Sequence, residues 1–225
     1  MNKNEIIKIC EETKNEFLRT IDNIKFEDKG IFNSEMLLFV SLAKKFDIEE
    51  IWESGRARGQ STKVLSEFFK NYNIRIHSIE IMPETEDDII AIKRLQRYPN
   101  LEILYGDSKK TLIQKLENDK NTFVLVDGPK GTEAIRLTTE ILKKNNTKAV
   151  FLHDYHKDSP LREVVEKTFK NTFFTDDEEY VEKFRDLDEK CWVEHAKIGR
   201  YPYMRGERKM KSYSSTLCVI FNENA

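Results

Sequence analysis

Glu50-Ile51-Trp52-Glu53-Ser54-Gly55-Arg56-Ala57-Arg58-Gly59-Gln60-Ser61-Thr62 runs from a short apolar stretch, through two glycines four positions apart, into residues that suit a helix. A strand, a tight turn and a helix are the expected order. The glycines allow a turn that side chains would obstruct and let backbone N–H groups approach a ligand. The same alternation continues downstream. IRIHSIEI, LEILYG, TFVLVDG and KAVFLHD read as strands, and helices are expected over about 61–72, 84–96, 109–117, 132–144 and 160–170. Strands separated by helices of this length indicate βαβ units and a mostly parallel, doubly wound sheet covered on both faces. Thr132 is expected to cap the helix it precedes, and Ser159-Pro160 sets a capping hydroxyl before proline at a first helical position.

Upstream, residues 5–21 form an amphipathic helix with Ile6, Cys10, Phe17 and Ile21 near one face. A second helix carries Met36, Phe39, Val40, Ala43 and Phe46 at helical spacing. Beyond Lys170, NTFFT reads as a short strand, DDEEYVEKFRDLDEK as an acidic helix and STLCVIF as a last strand. The basic, aromatic stretch 197–211 reads as a solvated hairpin or loop in preference to a lid for an acidic substrate. No internal repeat or flexible linker divides the chain, so residues 1–225 are expected to form one domain. Its parts are N-terminal helices (1–46), a ligand-binding core (47–170) and C-terminal strands with inserted acidic and basic segments (171–225).

Composition narrows the class. The 225 residues carry 38 basic and 40 acidic side chains, a net charge of −2, which describes a solvated surface rather than a nucleic-acid-binding one. No apolar run approaches the roughly 18 residues of a membrane span. The N-terminal stretch has acids throughout and no apolar block, unlike a signal peptide. Three cysteines with no CxxC spacing argue against a disulfide framework and a cysteine-rich zinc site. A cytoplasmic protein is expected.

In such a sheet, ligands bind beyond the carboxyl ends of the strands. The residues there are the 54–62 loop, Glu80, Gly106-Asp107-Ser108, Asp127-Gly128-Pro129-Lys130-Gly131 and His153-Asp154-Tyr155-His156. The first loop has Gln60 where a Walker P-loop needs lysine, and its GxxxG spacing departs from the dinucleotide fingerprint. Arg56 and Arg58 are candidates for contact with an anionic substrate group, with solvated loop side chains preferred for at least one.

The ordered set ExGxxxG with Ser61-Thr62, an acid closing the second strand, GDS after the third and DGPKG after the fourth resembles class I S-adenosylmethionine-dependent methyltransferases. The resemblance covers about residues 31–222. It is closest to small-molecule O-methyltransferases of the macrocin O-methyltransferase and cephalosporin hydroxylase type. It implies a Rossmann-like α/β fold with an antiparallel last strand, and methyl transfer from S-adenosylmethionine to a hydroxyl of a small-molecule acceptor. By the same resemblance, Gly55 and Gly59 turn under the methionine part of the cofactor, with Glu53 near its amino group and Ser61 in the same contact set. Glu80 takes the ribose hydroxyls, Asp107 and Ser108 border the adenine, and Asp127 adjoins the cofactor.

Metal-dependent members hold a divalent cation on an acid after the fourth strand and a pair after the fifth, with a lysine three residues beyond the first acid as base. Asp127, His153 and Asp154 then form the metal set and Lys130 the base, giving Asp127, Lys130 and Asp154 catalytic roles. Magnesium prefers oxygen ligands. The His153 nitrogen admits manganese, iron or zinc as well. A metal-free enzyme in which His153 or Asp154 is the base stays open. His156 is a candidate for indirect support, whereas His77 and His195 have no nearby acidic cluster in sequence. The competing class is a non-catalytic binding module that keeps the fold. A nucleic-acid methyltransferase is disfavoured by the charge and by the missing NPPY-type motif. An exposed first helix is the surface available for pairing subunits.

Overall fold

The computed structural model describes residues 1–27, 29–116, 119–197 and 216–223. Two helices come first, α1 (Lys3–Ile21) and α2 (Asn33–Lys45). Five strand–helix pairs follow: β1 (Glu50–Ser54) and α3 (Gln60–Phe68), β2 (Arg75–Glu80) and α4 (Glu86–Leu95), β3 (Leu101–Tyr105) and α5 (Ser108–Lys115), β4 (Thr122–Val126) and α6 (Thr132–Ile141), β5 (Thr147–His153) and α7 (Arg162–Thr168). Then come β6 (Thr172–Phe174), α8 (Glu178–Phe184), a 3-10 turn (Arg185–Asp188), α9 (Glu189–Lys197) and β7 (Leu217–Phe221). The strands form one sheet in the order β3-β2-β1-β4-β5-β7-β6. β1 to β5 pair in parallel, and β7 runs antiparallel between β5 and β6. The expected doubly wound, mostly parallel α/β sheet is present, with its antiparallel last strand.

Period-two alternation divides the core into two layers. Phe123 and Leu125 of β4 and Ala149 and Phe151 of β5 face the α1, α2 and α3 side. Val124 and Val126, with Val150 and Leu152, face the α6 side, beside Leu137 and Ile141. On the first face Phe39 packs against Phe151 with ring centroids 4.3 Å apart, and against Phe123 at 5.8 Å. Ile6, Cys10, Phe17 and Ile21 are buried as one stripe of α1. α2 is not amphipathic: every residue from Asn33 to Ala43 is buried, including Ser34, Glu35 and Ser41.

Some local expectations need correcting. α6 is preceded by Gly131, with no side-chain cap, and Thr132 is already its first helical residue. Ser159 Oγ accepts from Leu161 N at 3.3 Å, but α7 begins only at Arg162. The acidic stretch splits into α8 and the 3-10 turn. Most of the basic segment 197–211 lies outside the described residues. No helix among the described residues is long and apolar enough to cross a membrane.

Candidate active site

The strand register brings the expected site residues to one rim. Ser54, the last residue of β1, pairs with Ile79 on one side and Val126 on the other; Glu80 pairs with Tyr105, and Val126 with Leu152. Glu80, Asp107, Asp127 and His153 therefore all stand at or just beyond the carboxyl ends of neighbouring strands, on either side of β1 where the strand order reverses.

The turn after β1 is held from below. Glu53 is fully buried and accepts hydrogen bonds from the hydroxyls of Ser61, Thr62 and, at 2.6 Å, Ser78. Burial pushes its carboxyl above the ordinary range, and the three hydroxyls offset this only in part. These bonds tie the first turn of α3 to β1 and β2. The two glycines serve close packing. Gly55 has φ +86°, and a Cβ there would lie 2.6 Å from Gly128 N; Gly59 has φ +72°, and a Cβ would meet Leu95 Cδ1 at 2.8 Å. Asp127 N and Gly128 N both donate to Ser54 O, at 2.8 and 2.9 Å, and Ser54 Oγ donates to Gly128 O. The β1 and β4 loops are thus one unit.

Glu80 leans over the glycine turn. Its Oε2 accepts from Ala57 N at 2.9 Å and its Oε1 from Ile81 N at 2.7 Å. Each carboxylate oxygen has a second lone pair for a further donor. Next to it, Ile81 and Met82 are 64% and 59% exposed, an apolar ledge at the rim. Asp107 caps α5, accepting from Lys109 N at 3.0 Å. Ser108 Oγ donates to Gly128 O at 3.2 Å.

Across β1, Asp127, His153 and Asp154 present ligand atoms within 4.8 Å of one another. Lys130 Nζ donates to Asp127 Oδ1 and, at 2.5 Å, to Asp154 Oδ2. His153 Nδ1 lies 2.7 Å from Asp127 Oδ1 and 3.4 Å from Asp154 Oδ1, and its Nε2 lies 3.5 Å from Glu35 Oε1. Burial resists ionisation of Asp127, but His153 and Lys130 outweigh it and hold the carboxyl below its usual range. Burial lowers the Lys130 pKa, yet Asp127 and Asp154 raise it overall, so Nζ is an ammonium in this arrangement rather than a ready base. His153 behaves alike: burial lowers its pKa, and Asp127, Glu35 and Asp154 lift it well above the ordinary value. Asp154 sits at φ +73°, a left-handed conformation that asparagine and aspartate tolerate better than most residues.

Sequence reasoning missed Glu35. An acid at the head of a largely apolar helix was its signal, and its N3 position supplies a second reason for a glutamate: Oε2 accepts from Phe32 N at 2.9 Å, which caps α2. The arginines of the first loop are not solvated. Arg56 is 2% exposed and donates to Ser78 O and Asp88 Oδ1, both at 2.8 Å. Arg58 pairs with Asp87 at 2.7 Å and Glu27 at 3.1 Å. His77 has acidic neighbours after all: it stacks on Trp52 at 4.0 Å, with Glu102 Oε2 2.7 Å from Nδ1. His156 lends its carbonyl to Ser159 N, and the side chain of His195 lies outside the described residues. A cavity of about 590 Å³ opens at the opposite end of the sheet, lined by Ile9, Phe46, Lys148 and Phe221 among others; it contains none of these site residues.

Comparison with solved structures fits this geometry. The O-methyltransferase TomG from Streptomyces achromogenes, solved with S-adenosylmethionine, superposes with a TM-score of 0.52 at 15% identity, covering 94% of this chain and 90% of that one. The Rossmann-like methyltransferase fold is shared. The Podospora anserina methyltransferase PaMTH1, bound to S-adenosylhomocysteine, gives 0.50 at 14% identity over 99% and 97% of the two chains. No protein-family model matches the sequence, and the search of curated proteins returned no match.

Proposed function

We propose that residues 1–225 act as a single S-adenosylmethionine-dependent O-methyltransferase domain on a small hydroxylated acceptor. The observation that carries this reading is the position of Glu80. Its carboxylate bonds the glycine turn at Ala57 N, on the rim shared with Asp127 and His153. The residues fit the cofactor: two carboxylate oxygens are placed for the ribose hydroxyls, and the exposed Ile81 and Met82 offer an apolar seat for a purine. When bound, S-adenosylmethionine supplies an electrophilic methyl group on a sulfonium centre. Asp107 and Ser108 stand on the same rim, although both already serve α5 and the β4 loop. Glu53 and Ser61 contribute by fixing the turn.

The acceptor hydroxyl must lose its proton as the methyl group arrives. Asp154 is the half-exposed carboxylate of the cluster, its side chain 47% accessible, and is placed to take that proton while Lys130 balances the charge. A divalent cation such as magnesium or manganese would be held by Asp127 and Asp154, with His153 the third member of the group. It would supply the same acidity by stabilising the deprotonated oxygen.

Calorimetry with S-adenosylhomocysteine tests the reading. One site per chain is expected, weakened at least tenfold by Glu80→Ala, since a hydrogen bond to a charged group contributes about 1.5–3 kcal/mol. Absence of binding by the folded wild type overturns it. Binding without turnover on any hydroxylated acceptor would favour the non-catalytic module.

A further inference from the structure

Arg56 stands between Gly55 and Ala57 in the glycine turn, yet its side chain is withdrawn beneath the rim. Nη2 donates to Asp88 Oδ1 and Nη1 to Ser78 O, both at 2.8 Å. Asp88, in the first turn of α4, is buried as well. Its Oδ2 accepts from Glu84 N at 3.0 Å. Tyr105 OH, at the end of β3, lies 3.2 and 3.1 Å from Oδ1 and Oδ2, and the Arg56 guanidinium carbon lies 5.2 Å from the centre of the Tyr105 ring. Burial opposes ionisation of Asp88, but Arg56, Glu84 N and Tyr105 hold its carboxyl below the usual range. One buried pair thus joins the turn after β1 and the segment after β2 to the end of β3. Glu80, Ile81 and Met82 lie between its anchor points: Ala57 N, next in the chain to Arg56, bonds Glu80, and Glu84 closes the segment that carries the apolar ledge.

A buried ion pair is a poor source of stability, because desolvating two charges offsets most of their attraction. What it can supply is fixed geometry. The planar guanidinium offers donors in set directions that a lysine ammonium does not reproduce. We propose that Arg56 is a positioning residue for the methyl donor: through Asp88 it sets the distance between the glycine turn and the Ile81–Glu84 segment, and so the spacing at which Glu80 meets the ribose hydroxyls and the ledge meets the purine. The inference rests on the S-adenosylmethionine reading and deepens it. It also gives a different task to an arginine that the sequence offered as a contact for an anionic substrate group. Withdrawn as it is, Arg56 acts through Glu80 and the ledge rather than by contact.

The test uses the full chain, with calorimetry against S-adenosylhomocysteine and urea denaturation of the same proteins. Arg56→Lys keeps the charge but not the fork, and should weaken binding at least about fivefold, the scale on which neighbouring groups couple. Arg56→Met combined with Asp88→Leu replaces the pair by apolar side chains, an exchange that often leaves stability unchanged or raises it. This double variant should fold and still bind at least about fivefold more weakly, and it decides if Arg56→Lys fails to fold. Asn222→Ala removes bonds to Leu142 O and Thr147 O, 3.1 and 2.9 Å in the wild type, at the other end of the sheet; it should lower stability and leave affinity unchanged. Without ligand, the 13C-labelled methyl resonance of Met82, assigned by its loss in Met82→Leu, should shift in both Arg56 variants and stay in place in Asn222→Ala. An unmoved Met82 signal, or wild-type affinity in a folded Arg56 variant, overturns the proposal. An equal loss of affinity in Asn222→Ala makes Arg56 merely structural and overturns it too. No binding by the folded wild type overturns the methyltransferase reading, and the proposal falls with it; binding by the wild type with no loss in the Arg56 variants overturns the proposal alone.

Discussion

At the scale of single residues, buried acids set the character of this protein. Asp188 is fully buried, accepting from Ser34 N at 2.8 Å and Ser34 Oγ at 2.6 Å. Burial pushes its carboxyl up to about 8; the Ser34 contacts pull it down, and Glu35 and Asp186 push it further up. The folded protein therefore holds a proton that the unfolded chain releases near pH 4. Between that value and about pH 8 the folded state binds more protons than the unfolded one, so this group makes stability fall as pH rises, by up to about 1.4 kcal/mol per pH unit. Urea denaturation at pH 5, 6, 7 and 8 should show the decline, and Asp188→Asn should flatten it. Equal slopes in the two proteins would mean that Asp188 is ionised in the fold. None of this was legible in the sequence, where Asp188 is one acid in an acidic run. Its partner, Ser34, lies 154 positions away. The Arg56–Asp88 pair was hidden for the same reason, with 32 positions between its members. By contrast, Asp127, Lys130, His153 and Asp154 were legible because each lies within a few residues of a strand end.

At the scale of elements, the β1 turn is where local sequence and tertiary packing coincide. Both glycines have positive φ, but their neighbours differ. At Gly55 the obstruction is backbone, Gly128 N at 2.6 Å, in a loop tied back to Ser54 by three hydrogen bonds. At Gly59 it is the end of the Leu95 side chain, which can rotate away. Gly55→Ala should therefore cost about 3 kcal/mol or more, in the range of overpacking added to left-handed strain. Gly59→Ala should cost about 1–2 kcal/mol, chiefly the strain. Chemical denaturation of both variants checks the ranking, and a larger loss at Gly59 would contradict this account. Strand and helix placement was readable because the apolar runs are short and separated by helical periods. The nature of α2 was not. Its serines and Glu35 suggest a solvated side, and it is the packing of α1, α8, the 3-10 turn and the end of β5 around it that buries them.

At the scale of the whole molecule, α1 closes one layer of the core from outside the methyltransferase-like sheet. Ile6, Ile7, Cys10, Phe17 and Ile21 are buried in the same cluster as Phe39, Phe123 and Phe151, and Phe17 meets Phe68 at 6.2 Å between ring centroids. Burying a large apolar side chain contributes about 1.5–3 kcal/mol. Four such chains, the Cys10 thiol aside, amount to about 6–12 kcal/mol, comparable to the whole stability of a typical domain. Deleting residues 1–22 should abolish cooperative thermal unfolding, as followed by near-ultraviolet circular dichroism. A truncated chain that still melts in one sharp transition would show that α1 is dispensable. The sequence disclosed the apolar stripe of α1 but not its mate, since a stripe does not say what it covers.

Because α2 brings Glu35 to the imidazole of His153, the N-terminal region cannot be exchanged as a detachable cap. A chimera that grafts the first 46 residues of another enzyme onto this sheet, in the hope of importing a new acceptor preference, would also replace the group behind the ring. Transplants that carry a glutamate in register with position 35 should keep both the cap at Phe32 N and the carboxylate 3.5 Å from the imidazole, and those that lack it should lose both.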